Sequence, residues 1–285
     1  MWGMPSSPRP VSVVVPAHNE ASGIRRLLDL LSSGSSEREV EVIVSCNGCT
    51  DETAEVARGF QNVVVVEIPE ASKRLAMQAA DEVARYGVRA HLDADVAITR
   101  EDVLALVDAL DDVTIATGPE RRLALDGSSW TVRWYYDVWQ RLPQVREGLF
   151  GRGLIVLDPK GHERVRGLPM VMSDDLAISE AFTREERKVV SGAVAVIEAP
   201  RTVRDLVRRR IRIATGNNQL DQLGMRSAVA RTSVGDLLRI ASGSPVLVAK
   251  VAVFAAVTGA GRVLARQRIR RGDYTTWLRD ESSRR

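Results

Sequence analysis

The sequence predicts an α/β protein with a mostly parallel sheet flanked by helices, followed by a helical C-terminal extension. Within residues 11–117, short β-branched apolar runs alternate with segments whose apolar residues recur at helical spacing. The charge is also divided unevenly: residues 1–200 contain 22 Lys+Arg and 31 Asp+Glu, whereas residues 201–285 contain 18 and 6. Because 45% of the 285 residues are hydrophobic, the chain can form a sizeable core.

The strands and helices follow one another in a regular order. Each apolar run is short enough for a buried strand, and each is followed by a loop and a helical pattern. Strands alternating with helices of this length favour a parallel sheet with right-handed crossovers. The carboxyl ends of the strands should therefore share one edge. The strands are predicted at 11–15, 40–44, 63–68, 88–92 and 113–117, and the helices around 24–31, 54–60, 75–83 and 103–110.

Two carboxylates, Asp93 and Asp95, follow the fourth predicted strand. If the strand continues through them, their side chains point to the same side of the sheet. That edge is where open α/β sheets bind ligands, and oxygen ligands of this kind suit a divalent cation. The same spacing also occurs in solvated turns, so the pair alone leaves the choice open.

Several kinds of site are disfavoured by the sequence. Neither a dinucleotide-binding G-x-G-x-x-G nor a P-loop follows any predicted strand. Cys46 and Cys49 have no second pair nearby, so we interpret them as reduced cysteines in a loop rather than a zinc site. The arginine-rich segments 201–212 and 262–271 lack interleaved aromatic residues, so phosphate groups or an anionic membrane surface are preferred over nucleic acid. Residues 1–10 contain no apolar run, so we expect a cytoplasmic protein.

Several segments along residues 11–220 occur in the order of known motifs. The segments are 11–20, 45–51, 72–78, 93–95, 148–153, 173–176 and 209–213. Together they resemble the inverting GT-A glycosyltransferases of family 2, and a chance match of this many ordered motifs is rare. Cys46 and Asn47 stand where that family usually has two acids, and Ile213 stands where it usually has Trp.

The resemblance implies a GT-A fold and a set of site residues. Asp95, helped by Asp93, would bind Mg²⁺ or Mn²⁺, and Asp175 would be the general base. The acceptor or the sugar would contact Gly151, Arg152 and Asp174. The nucleotide would be bound by Pro16, Ala17, Asn19, Glu20, Asn47, Lys73, Asp93 and Arg212.

The implied activity is transfer of a sugar from a nucleotide-diphosphate donor, a UDP- or GDP-sugar, to a hydroxyl with inversion. The acceptor would be a glycan, a lipid-linked or a small molecule. Transfer to polyprenyl phosphate is an alternative, and so is a noncatalytic nucleotide-sugar-binding module, because the motifs depart from the family at three positions. We expect a catalytic domain over residues 1–222 and a basic helical region over residues 223–285.

Two segments have alternative interpretations. Residues 245–260 are nearly all apolar but include Lys250, which suits either a helix on the cytoplasmic membrane surface or a helix packed on the catalytic domain. The aromatic residues in 130–139 suit core packing, an acceptor platform or an interfacial anchor.

Overall fold

The computed structural model describes residues 9–34 and 38–272. The chain forms two compact units. Unit 1 comprises Met1–Arg122, Arg152–Gly167 and Thr183–Ile197, and unit 2 comprises Leu123–Gly151, Leu168–Phe182 and Glu198–Arg285. The outermost parts of the two predicted domains, residues 1–8 and 273–285, lie outside the described residues. The predicted boundary at residue 222 stays a prediction.

The described residues contain one mixed eight-stranded sheet, in the order β3-β2-β1-β4-β7-β6-β8-β5. The predicted parallel arrangement holds for β3, β2, β1 and β4, whereas β7 pairs antiparallel with both β4 and β6, and β5 pairs antiparallel with β8. The carboxyl ends of the four parallel strands therefore share one edge. The strands are β1 Val11–Ala17, β2 Val40–Asn47, β3 Val63–Ile68, β4 Val88–Leu92, β5 Val96–Ala97, β6 Ala116–Ala124, β7 Leu154–Leu157 and β8 Arg187–Glu198.

Helices cover both faces of the parallel strands in unit 1. Val11, Val13 and Val15 of β1 belong to the main core, whereas Val14 packs on the opposite face with Ile43. Because both faces are buried, the strand is continuously apolar rather than alternating. The helices of unit 1 are α1 Ala21–Ser32, α2 Thr53–Arg58, α3 Lys73–Val83, α4 Arg100–Asp108 and α7 Pro159–Arg166.

The fifth predicted strand starts later than its apolar residues suggest. Asp111 accepts hydrogen bonds from the backbone N–H groups of Val113 and Thr114 at 2.8 and 2.6 Å. This local turn competes with strand pairing, and β6 begins only at Ala116.

Unit 2 is mainly helical. α11 packs against α5 and α9, where the Tyr135 ring stacks on Phe254 with centroids 5.0 Å apart. Gly261 permits a close approach, because a Cβ there would lie 2.7 Å from Arg210 Cβ. The helices are α5 Trp130–Trp139, α6 Pro143–Glu147, α8 Asp174–Glu180, α9 Val203–Gln222, α10 Val234–Ala241 and α11 Pro245–Arg270.

Candidate functional site

The ends of β1 and β2 are joined by side-chain hydrogen bonds. Asn47 is buried, and its Nδ2 donates to the carbonyl of Ala17 at 2.8 Å, one residue after the half-buried Pro16. Among the described residues the amide oxygen of Asn47 has no hydrogen-bond partner. Asn47 therefore holds the two loops together and keeps an acceptor for a ligand, although the family usually has an acid there.

The loop after β1 is held by the loop after β2. Asn19 adopts a left-handed conformation with φ 52°, and its Oδ1 accepts from the N–H of Thr50 at 2.8 Å. The buried Glu20 donates its N–H to Thr53 Oγ1 at 2.8 Å. Asp51 accepts from the N–H groups of Ala21 and Thr53, both at 3.1 Å. Burial opposes the ionisation of Asp51, but the hydrogen bonds from Thr53 and Ala21 outweigh it and lower its pKa.

Cys46 and Cys49 are both free thiols, as predicted. Cys49 lies in the loop after β2, whereas Cys46 lies within β2 and not in a loop. Burial, reinforced by the neighbouring Cys49, raises the pKa of Cys46 to about 12. The Cys46 thiol is therefore protonated at neutral pH and unsuited to thiolate chemistry.

Asp93 and Lys73 form an ion pair at the carboxyl end of β4. Lys73 is the first residue of α3, and its Nζ lies 2.8 Å from Asp93 Oδ1. The backbone of Asp93 is fixed too, since its N–H donates to the carbonyl of Gly153 at 2.8 Å. Both side chains remain accessible, with 37% and 44% of their surfaces exposed. The structure thus brings together an ammonium suited to phosphate and a carboxylate suited to a cation or a ribose.

Asp95 lies in the turn between β4 and β5 rather than on a strand. The N–H of Val96 closes this turn on the carbonyl of Asp93 at 3.3 Å. Strand alternation therefore does not set the direction of the two carboxylates. The side chain of Asp95 is exposed, and no described residue forms a hydrogen bond or an ion pair with it. Its carboxylate is available as an oxygen ligand for Mg²⁺ or Mn²⁺.

Asp175, the predicted general base, lies in the first turn of α8 in unit 2. Its Oδ2 accepts from the N–H of Gly151 at 2.7 Å, and its Oδ1 accepts from the N–H of Leu176 at 2.8 Å. Gly151 has φ +62°, a conformation that glycine adopts without steric cost. Two backbone donors thus fix the carboxylate, which remains half-buried.

Helix α9 positions the segment just before Asp175. Gln219 accepts from the N–H of Met172 at 2.9 Å. A Cβ added to Gly216 would lie 2.2 Å from Ser173 Oγ and 2.6 Å from Ser173 N. Gly216 therefore lets the α9 backbone pack directly on the residue before α8.

Three other predicted site residues, Arg152, Asp174 and Arg212, are buried or half-buried. Arg152 is buried, and its guanidinium donates to the carbonyl of Pro119 at 2.8 Å. Burial, partly offset by Glu120, lowers the pKa of Arg152 to about 10. Asp174 is half-buried at the start of α8, and Arg212 is half-buried in α9. Roles for Arg152, Asp174 and Arg212 in binding stay predictions.

A cavity of about 430 Å³ adjoins Asp175 within unit 2. Gly151 and Ser173 line it beside Asp175. The rest of its wall combines apolar side chains, among them Trp139 and Phe254, with arginines. Ligand sites for small molecules have this size and this mixture of apolar and polar groups. Trp139 is the residue of the predicted aromatic cluster that lines this cavity.

The apolar helix α11 packs on other helices of unit 2, as one interpretation of its sequence predicts, and a membrane contact stays a prediction. One face packs on α5 and α9, and Lys250 pairs there with Asp137 of α5. The other face is exposed, with 57% of Val246 and 55% of Val248 accessible. By length and composition α11 could cross a membrane, since an 18-residue window has a mean hydropathy of 1.7.

His91 and His162 form a cluster with Asp81 and Arg89 in unit 1. His162 Nε2 lies 3.1 Å from Asp81 Oδ2, and the two imidazole centroids are 5.8 Å apart. Arg89 Nε donates to the other oxygen of Asp81 at 3.0 Å. Burial lowers the pKa of His91 to about 4, although Asp81 opposes this shift. Residues from α3, β4 and α7 form this cluster, which no local sequence pattern reveals.

Comparison with known proteins identifies the relatives of this chain. The family model described as glycosyl transferase family 2 matches residues 12–159. No curated protein sequence matches the chain significantly.

Solved structures give the same fold. A mannosyltransferase from Pyrobaculum calidifontis, in complex with GDP-Man and Mn²⁺, is 20% identical over 94% of this chain and 89% of that chain, with a TM-score of 0.67. Glucosyl-3-phosphoglycerate synthase from Mycobacterium tuberculosis, in complex with Mn²⁺, UDP and glucosyl-3-phosphoglycerate, is 19% identical over 80% of this chain and 88% of that chain, with a TM-score of 0.52. At such identities the likeness carries the fold alone, and the predicted GT-A fold is confirmed.

Proposed function

Because the chain belongs to glycosyl transferase family 2 and is therefore a glycosyltransferase, we propose that it transfers a sugar from a UDP- or GDP-sugar to an acceptor hydroxyl with inversion. Residues of unit 1 bind the nucleotide and a divalent cation, and Asp175 of unit 2 is the general base. The observation that carries the proposal is the exposed Asp95 carboxylate, two residues from the Lys73–Asp93 ion pair.

The oxygen ligands of the candidate metal site suit Mg²⁺ or Mn²⁺. Asp95 and Asp93 supply oxygen ligands, which both cations prefer. When bound, the cation supplies Lewis-acid stabilisation of the negative charge on the diphosphate. Lys73 Nζ adds a charge-assisted hydrogen bond to a phosphate oxygen. Mn²⁺ is the metal in both solved complexes, with GDP-Man in one and UDP in the other, which supports this choice of donor and cation.

The two loops at the ends of β1 and β2 form the nucleotide pocket. The carbonyl of Ala17 is already bound by Asn47, so these loops are ordered by the protein itself. The Asn47 amide oxygen accepts an N–H from the base, and a UDP or GDP base offers such a donor. Pro16, Asn19 and Glu20 complete the contacts.

Asp175 deprotonates the attacking hydroxyl. The acceptor oxygen forms a bond to the anomeric carbon as the bond to the nucleoside diphosphate breaks, and the proton passes to the Asp175 carboxylate. Gly151 N and Leu176 N orient that carboxylate, so little reorientation is needed before proton transfer. Asp174 and Arg152 help to orient the acceptor and the sugar.

Thermal melting against UDP, GDP, ADP, CDP and dTDP, with and without Mn²⁺, tests the proposal. A ligand at a hundred times its dissociation constant stabilises the folded state by ~2.7 kcal/mol. We expect a Mn²⁺-dependent shift with UDP or GDP. If no nucleotide shifts the melting temperature under any condition, the alternative of a noncatalytic protein gains support and the proposal fails.

We also propose that α10 and α11 contact an anionic membrane surface. Val234 and Leu238 of α10 are 72% and 66% exposed, and the basic region from residue 201 adds 18 Lys+Arg. Cosedimentation with phosphatidylserine vesicles should be lost in the Val246→Glu/Val248→Glu variant and kept in Val113→Glu, a control at an exposed valine of unit 1. Equal binding by both variants would refute the contact.

A further inference from the structure

The cavity beside Asp175 carries an excess of positive charge. Five of its lining residues are arginines, and its acidic lining residues are Asp175 and Asp221. Asp221 is already engaged, since Arg231 Nη2 lies 2.9 Å from its Oδ1 and Arg226 Nη1 lies 3.4 Å from its Oδ2. The lining arginines are Arg210, Arg226, Arg231, Arg262 and Arg266.

Three of these arginines have no carboxylate partner among the described residues. Arg210 lies over the Tyr135 ring, with its guanidinium carbon 5.9 Å from the centroid, and its buried Nε has no hydrogen-bond partner. Arg262 and Arg266 are exposed one turn apart on α11 and form no ion pair or hydrogen bond within the described part of the chain. Guanidinium groups gathered without anions repel one another, so the cavity favours a negatively charged occupant.

Arg226 is the more buried of the two arginines that pair with Asp221. Only 13% of its side chain is accessible, compared with 56% for Arg231. Its Nε is buried without a partner. Burial lowers the pKa of Arg226; Asp221 opposes the shift, and the charges of Arg231 and Arg262 add to it. Keeping Arg226 charged there is costly, and a bound anion would offset that cost.

We propose that this cavity is the acceptor site and that its acceptor is a phosphorylated hydroxyl compound. Arg226, Arg262 and Arg266 bind the phosphate, while the hydroxyl faces Asp175. The phosphate is a recognition group and not the nucleophile. This inference rests on the proposed function, because it assigns the substrate class of the same base.

The lining also suits the hydroxyl-bearing part of such an acceptor. Asn217 and Asn218 each have a side-chain oxygen that is buried without a hydrogen-bond partner among the described residues. Small adjustments of these side chains would let hydroxyl groups donate to them. The phosphate itself belongs either to a soluble phosphate ester or to a lipid headgroup, since the guanidinium chemistry is the same for both.

Binding of two phosphate probes tests the inference and distinguishes these sources. Glycerol 1-phosphate represents the soluble ester and is titrated calorimetrically, with glycerol as the uncharged control. Phosphatidylcholine vesicles with and without phosphatidic acid represent the lipid headgroup and are used in cosedimentation. Each probe is applied to the wild type, to Arg262→Ala/Arg266→Ala and to Arg204→Ala/Arg270→Ala. The last pair removes the same charge from exposed positions on α9 and α11 that do not line the cavity.

We expect at least one phosphate probe to bind the wild type about tenfold to a hundredfold more tightly than Arg262→Ala/Arg266→Ala, with the control variant like the wild type. Glycerol should not bind. Equal binding by the two double variants, or no binding of either probe by the wild type, would overturn the inference.

UDP and GDP with Mn²⁺ separate this inference from the proposed function. If a nucleotide binds and neither phosphate probe does, the acceptor assignment fails while the proposed function stands. If the nucleotide displaces the probe, the arginines belong to the donor phosphates and the inference fails. If a phosphate probe binds and Arg262→Ala/Arg266→Ala weakens that binding, but no nucleotide binds, then the cavity is an anion site. Its assignment as the acceptor site is then refuted.

Discussion

Substitution of Gly216 by alanine should displace Asp175, the proposed general base, while leaving the loops after β1 and β2 intact. The added Cβ would lie 2.2 Å from Ser173 Oγ and 2.6 Å from Ser173 N. The Ser173 hydroxyl can rotate, but its backbone nitrogen cannot avoid the contact without moving the chain. Ser173 is the N-cap residue of α8, and Asp175 is two residues further on. Relief of the overlap must therefore shift the start of α8 or α9.

The size of the effect follows from two opposing contributions. Overpacking of a tightly packed site costs about 1–3 kcal/mol. Alanine gains about 0.5–1 kcal/mol over glycine within a helix. We expect Gly216→Ala to lower the free energy of unfolding by about 1–2 kcal/mol. Turnover should fall by as much as ~100-fold, because a misplacement near 1 Å costs that much in a positioned reaction.

Gly259 provides a matched control within the same unit. It is also a helical glycine, but a Cβ there would meet nothing within 4 Å. Gly259→Ala should therefore raise the free energy of unfolding by about 0.5–1 kcal/mol and leave turnover unchanged.

Urea unfolding and single-turnover sugar transfer, measured for both variants, check this reasoning. A Mn²⁺-dependent nucleotide shift should persist in Gly216→Ala, because Asn47, Lys73, Asp93 and Asp95 all belong to unit 1. If Gly216→Ala is stabilised as much as Gly259→Ala and transfers sugar at the wild-type rate, then the contact with Ser173 does not position the base.

Three further predictions follow from the site. Asp95→Ala should abolish the Mn²⁺-dependent nucleotide shift in thermal melting. The control Asp112→Ala removes an exposed carboxylate elsewhere in unit 1 and should keep that shift. Equal shifts in the two variants would show that Asp95 does not bind the metal. Asp175→Asn should lower turnover by ~10²–10⁴-fold with unchanged nucleotide binding, and retention of most activity would favour polyprenyl phosphate, an acceptor that is already ionised. His91 has a pKa of about 4 in the folded protein and about 6.5 when unfolded, so the unfolded chain binds more protons between those values. The contribution of His91 to the free energy of unfolding is therefore complete above pH 6.5 and is lost as the pH falls toward 4. The loss between pH 7.5 and pH 5 is about 2 kcal/mol. Urea unfolding in EDTA should show that loss in the wild type and lack it in His91→Gln; the same loss in both would refute the assignment.

The sequence predicts where the candidate site lies, but it does not predict the geometry of that site. The nucleotide loops and the Asp93/Asp95 pair were predicted because strands alternating with helices place their carboxyl ends at one edge. The direction of the two carboxylates was argued from strand alternation, yet Asp95 lies in a turn. The Lys73–Asp93 ion pair joins residues twenty positions apart, so no local pattern predicts it.

The sequence by itself determined the local elements, because apolar periodicity and turn residues act within a few neighbours along the chain. It also determined the family resemblance and the uneven distribution of charge. Only the tertiary structure decided which distant groups meet. It gave Gly216 its contact with Ser173, gave Asp175 its donor in Gly151, and brought arginines from separate segments around one cavity. Such contacts depend on how helices and loops pack in three dimensions, and packing is set by side chains that lie far apart in the sequence.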